Sequence, residues 1–165
     1  MPKTNDIVFS YIEYKNPGEL STDDRELVNM AKNAAANAYA PYSKFKVGAA
    51  VRLMSGRMVC GANVENAAFP SGICAERNAL SYSIANFPGD KPEAIAISAY
   101  DEDELTNDPV SPCGNCRQVI AEEELRNGKN IRIILSGHDR TLVIRSISLL
   151  LPLQFNIRNL KVDHP

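Results

Sequence analysis

The chain has 165 residues, 44% hydrophobic and 23% charged, with a formal net charge of −2; this suits one domain with a real core. Its 18 basic residues are scattered and outnumbered by 20 acidic ones, which disfavours a nucleic-acid polymer, since phosphates need a concentrated basic face. No segment is apolar for long enough to span a bilayer, and the N-terminus lacks a secretory pattern.

Residues 1–20 read as an N-terminal extension. Within it Ile7 to Tyr14, rich in β-branched and aromatic residues, suits an added strand, and Asn16-Pro17-Gly18 a turn. A helix is predicted to begin near Ser21 to Asp23, with Asp23 and Glu26 at capping-box spacing and Leu27, Met30, Ala31, Ala34, Ala35 and Ala38 as its apolar stripe. Pro41 stops it. Lys46 to Leu53 and Met58 to Val64 form a hairpin across Ser55-Gly56. Cys74 to about Phe87 reads as a second helix, and Ala94 to Ala99 as a strand buried on both faces. After the acidic loop from Asp101 to Pro109, Pro112 opens a third helix that runs to about Arg126. Two further strands, Ile131 to Leu135 and Thr141 to Arg145, precede a short apolar helix near Ile147 to Leu150. Helices between single strands imply crossovers, so the expected fold is a three-layer α/β/α domain over 21–158 with a five-stranded mixed sheet, followed by a tail, 159–165.

The chemistry-bearing residues are cysteines. A cytoplasmic location is expected, where four cysteines are free thiols or metal ligands rather than disulfides. Cys113 and Cys116, three apart at a helix start, present both thiols to one face, and the unpaired N–H groups there favour thiolate. The pair suits half a zinc site and equally a redox couple. Cys74 heads the other helix and adds a third ligand; neither Cys60, His138 nor His164 supplies a matching fourth. Three ligands without a fourth leave an open position, as in catalytic zinc, where a water gains acidity. Glu76, two residues beyond Cys74, supplies the carboxylate that shuttles the proton. Arg77 and Arg117, each beside a motif residue, suit hydrogen bonds to sulfur that offset thiolate charge, or plain surface ion pairs.

Zinc deaminases of nucleobases share a His/Cys-x-Glu…Pro-Cys-x-x-Cys pattern, which stands here as Cys74-x-Glu76…Pro112-Cys113-x-x-Cys116. Together with Ala40-Pro41-Tyr42-Ser43-Lys44-Phe45-Lys46-Val47-Gly48, Gly61-Ala62-Asn63-Val64-Glu65-Asn66 and the flanks of both cysteine motifs, the chain resembles the small homotetrameric cytidine deaminases over about residues 22–155. The resemblance implies one Zn²⁺ per chain and hydrolysis of cytidine and 2′-deoxycytidine to uridine and 2′-deoxyuridine in pyrimidine salvage. It also implies a ribose-binding pair in Asn63 and Glu65, an aromatic on the base in Phe45, a carbonyl-binding backbone N–H at Ala75 and a further aromatic near the site in Phe69. It implies a homotetramer whose C-terminal Leu150-Leu151-Pro152-x-x-Phe155 reaches a neighbour. A cytidine-like antibiotic or modified cytidine is the alternative substrate. A zinc-stabilised binding module is the alternative class, and it leaves Glu76 without a purpose.

Overall fold

Alternation of buried apolar residues along the strands decides the architecture. In this computed structural model, which describes residues 2–160, Ala49, Val51, Ile95, Ile97, Ile133 and Leu135 face one side of a sheet, under α2 (Ala75–Asn86) and α3 (Gly114–Asn127). Ala50, Ala94, Ala96, Ile134 and Val143 face the other, under Leu27, Val28 and Ala31 of α1 (Thr22–Ala35). Period-two side-chain direction thus produces both cores from one sheet. Each fully buried Ile or Leu contributes about 1.5–3 kcal/mol. The three-layer expectation holds.

The strands are β1 (Ile12–Tyr14), β2 (Phe45–Leu53), β3 (Met58–Ala62), β4 (Pro92–Asp101), β5 (Glu104–Leu105), β6 (Arg132–Ser136) and β7 (Thr141–Ile144). Their order is β1-β7-β6-β4-β2-β3, with β5 on β4. Of these ladders only β4–β6 is parallel, and α3 supplies its crossover. The sheet therefore has seven strands, not the expected five. One addition is β1, the last three residues of the Ile7–Tyr14 stretch expected as an added strand, which pairs antiparallel with β7 through Ile12, Glu13 and Tyr14. The other is β5, which takes up β4 at Tyr100 and Asp101, just past the Ala94–Ser98 stretch that β6 occupies.

The start of α1 also differs from expectation. Its N-cap is Ser21, whose hydroxyl accepts from the Asp24 N–H at 3.2 Å, rather than Asp23 with Glu26. Asp24 is buried and ion-paired with Arg52 (3.1 Å) on β2 and Arg132 (2.7 Å) on β6, which ties the helix start to the sheet. The apolar turn near the C-terminus is a 3₁₀ turn, Ile147–Leu149. Residues 161–165 of the expected tail, with His164, lie outside the described residues. No described helix is long and apolar enough to cross a membrane.

Candidate metal centre and binding cavity

The two helices that pack on the same face of the sheet bring the motif together at their first turns. Cys74 is the N-cap of α2 and Cys113 that of α3, and neither side chain caps its own helix, so both thiols are free for another role. Cys116 lies one turn into α3 and is fully buried. The Cys74 and Cys113 sulfurs are 3.9 Å apart and those of Cys113 and Cys116 3.5 Å, and all three lie within 4.8 Å of one another. A disulfide needs about 2.05 Å. Tetrahedral zinc–thiolate bonds of about 2.3 Å place sulfurs about 3.8 Å apart, so the spacing fits zinc.

The three thiols differ in their electrostatics. Burial, then the neighbouring Glu76 and Cys74, raise the Cys116 thiol far above its ordinary range. Burial likewise raises Cys74. At Cys113 burial also opposes the thiolate, but hydrogen bonds from Cys116 and the Asn115 N–H outweigh it and lower the pKa. Burial disfavours the anionic form of Cys74, Cys116 and Glu76, a penalty that a bound dication would offset.

Glu76 is 5% exposed, and burial raises its pKa. It opens onto a cavity of about 400 Å³ whose walls include Phe45, Asn63, Glu65, Phe69, Cys74, Ala75 and Cys113, a size suited to a small ligand. As the first residue of α2, Ala75 has an N–H with no intrahelical acceptor. The structure thus gathers all five residues named for substrate contact around the thiols and Glu76.

Asn63 and Glu65 do more than line the cavity. Asn63 Oδ1 accepts from the Val47 N–H at 2.7 Å and its Nδ2 donates to the Phe45 carbonyl at 3.0 Å, which fixes the start of β2 and leaves one amide N–H. Glu65 accepts from the Tyr42 N–H (2.9 Å), the Ser43 N–H (3.3 Å) and the Ser43 hydroxyl. The hydroxyl bond is the main reason its pKa lies below the usual carboxylate range. About one of its four lone-pair sites stays open.

The two arginines part company. Arg117 donates from Nε to the Pro112 carbonyl and from Nη1 to the Leu150 carbonyl, each at 2.8 Å. Its hydrogen bonds therefore run to backbone rather than to sulfur, because the 3₁₀ turn after β7 folds back over α3 and offers a closer acceptor. Arg77 is half-buried, and its side chain makes no hydrogen bond or ion pair among the described residues. Sequence reasoning missed Tyr42, Val110 and Ser111, which also line the cavity. Their signal was proximity alone, since Val110 and Ser111 directly precede Pro112-Cys113.

Comparison with known proteins agrees with this geometry. A profile described as the cytidine and deoxycytidylate deaminase zinc-binding region matches residues 21–128. The chain is 41% identical over 100 residues to a cytidine deaminase of Halalkalibacterium halodurans, covering 61% of this chain and 71% of the relative. It is 43% identical over 104 residues to one of Sporosarcina psychrophila, covering 61% and 69%. The crystal structure of a cytidine deaminase from Burkholderia pseudomallei superposes with a TM-score of 0.66 at 39% identity, over 79% of this chain and 97% of that one.

Proposed function

The chain belongs to the zinc-binding cytidine and deoxycytidylate deaminase family, and from that premise we propose that it hydrolyses cytidine and 2′-deoxycytidine to uridine and 2′-deoxyuridine, releasing ammonia in pyrimidine salvage. The observation that carries the reading is a zinc-sized triangle of thiols at the wall of a nucleoside-sized cavity, with a buried carboxylate on the same helix.

Cys74, Cys113 and Cys116 would hold the metal, which would supply the Lewis acidity that makes a water nucleophilic near neutral pH. Glu76 would pass one proton of the attacking water to the ring nitrogen and then the second, from the new hydroxyl, to the amine, which leaves as ammonia while the carbonyl forms. Burial suits it to this work, because a pKa raised from the carboxylate range toward neutrality balances taking a proton against giving it up. The Ala75 N–H holds the base carbonyl, while Phe45 packs on the pyrimidine. The spare Asn63 N–H and the open lone pair of Glu65 orient the sugar hydroxyls, and the bonds from Tyr42 and Ser43 keep Glu65 ionised for that purpose. Arg77, whose side chain has no partner among the described residues, offsets the thiolate charge.

The same reading makes the protein a cytoplasmic homotetramer acting on free nucleosides. Supporting it, Phe69 is 76% and Phe155 59% exposed, large apolar side chains that a neighbouring subunit would cover. The test is a substrate panel of cytidine, deoxycytidine, cytosine, blasticidin S and a short single-stranded oligonucleotide, with zinc measured per chain. One zinc and ammonia release from the first two are expected; turnover of the oligonucleotide alone refutes the assignment.

A further inference from the structure

Part of the cavity wall is held from outside. Val110 and Ser111 belong to an irregular segment, Thr106 to Cys113, that has no strand or helix of its own. The turn between β6 and β7 grips this segment. His138 N–H donates to the Thr106 carbonyl at 2.9 Å and Asp139 N–H to the Asn107 carbonyl at 3.1 Å. Arg140 donates from Nε (3.0 Å) and Nη2 (2.9 Å) to Asp108, and its Nη1 reaches Glu13 on β1 at 3.0 Å. Gly137 leaves no room for a side chain against this segment. A Cβ there would sit 2.5 Å from the Asn107 oxygen, 2.7 Å from the Asp108 carbonyl carbon and 2.8 Å from the Pro109 nitrogen, and all three are backbone atoms that no rotamer can move aside.

We propose that Gly137 and Arg140 are positioning residues for the substrate cavity. They clamp residues 106–109 so that Val110 and Ser111 form its wall, and Glu13 of the N-terminal extension braces the clamp. Pro109 and Pro112 bracket those two wall residues with fixed φ, so a displacement at 107–109 passes into the wall rather than dissipating. Glu13 and Arg140 both lie outside the segment, 21–128, that the family profile matches. The inference rests on the reading of this cavity as the nucleoside site.

The test uses full-length Gly137→Ala, Arg140→Met and Glu13→Gln, with cytidine KM and kcat, zinc per chain, melting temperature and amide hydrogen exchange at His138 and Asp139. Gly137→Ala should raise KM about tenfold with kcat within about threefold and zinc retained, since small misplacements of substrate-positioning groups have effects of this order. Arg140→Met should raise KM about threefold and Glu13→Gln less, because exposed ion pairs are individually weak. Exchange at the His138 and Asp139 N–H groups, which hold residues 106 and 107, should quicken in the same order. A folded, zinc-loaded Gly137→Ala with unchanged KM and unchanged exchange overturns the clamp, as does an effect that comes only through zinc loss. Should Gly137→Ala not fold, Arg140→Met decides by the same readouts. A wild-type protein inactive on cytidine counts against the assigned activity, while the exchange comparison still judges the clamp.

Discussion

Replacing Gly61 with alanine would strike the metal centre from beneath. Gly61 lies on β3 where α2 crosses it, and a Cβ at this position would sit 2.6 Å from the Ala79 N and 2.9 Å from the Ala75 carbonyl oxygen. Ordinary contact begins near 3.4 Å, so the helix must retreat by about 0.8 Å. Overpacking of this kind costs about 1–3 kcal/mol of stability. The functional cost is larger, because α2 carries Cys74 at its N-cap and Glu76 in its first turn while Cys113 and Cys116 ride on α3. Metal–ligand distances tolerate only about 0.2 Å, so a shift of one helix against the other spoils the sulfur triangle. Gly61→Ala should therefore bind zinc at least about tenfold more weakly and lose about 10²-fold in kcat/KM, read by titration against a chelating dye and by loss of cytidine absorbance. Zinc affinity and kcat/KM within twofold of wild type, in a protein with a normal melting temperature, would refute the reasoning.

Two further outcomes follow from the same geometry. Glu76→Ala should keep one zinc per chain and lose about 10²–10⁴-fold in kcat, since a general acid–base group contributes that much; full activity in a zinc-loaded variant would remove Glu76 from the chemistry. Asp24→Asn should lower stability by about 3 kcal/mol, the low end for a broken buried pair, because Arg52 retains Glu93. Burial alone would raise the Asp24 pKa, but Arg132 and Arg52 overcome it and hold the group below the ordinary range. A depressed folded pKa contributes stability above the unfolded value, near 4, and loses it as pH falls. The gap between wild type and Asp24→Asn in chemical denaturation should thus be full at neutral pH and shrink below about pH 4; a gap that does not depend on pH would contradict the pairing.

The metal motif was readable because its spacing is local: Cys113 and Cys116 are fixed by one helical turn, and Cys74 and Glu76 by one helix start. The core strands were readable from their unbroken apolar runs. What escaped depended on distant partners. The Asp23–Glu26 spacing looked like a cap, yet the α1 start is set by Ser21 while Asp24 is drawn to Arg132, 108 positions away. Strand β5 is a two-residue pairing in an acidic stretch, too short to carry a pattern. Arg117 is claimed by a carbonyl 33 residues on, which no spacing near Cys116 could reveal. Asn63 reads from family likeness as a sugar ligand, and only the fold shows that most of its amide is spent on the backbone at Phe45 and Val47.

The convergence of two helix starts on three cysteines sets the overall charge of the centre. Three thiolates around a dication carry one net negative charge, which by itself would dull the metal's acidity. Each helix N-terminus contributes about half a positive charge, and α2 and α3 both point theirs at the sulfurs. Together they bring the sum close to neutral without any side chain. That compensation resides in the direction in which the chain runs, so no single amino-acid replacement on the surface of the site can delete it. That share of the compensation would be a property of the fold's topology.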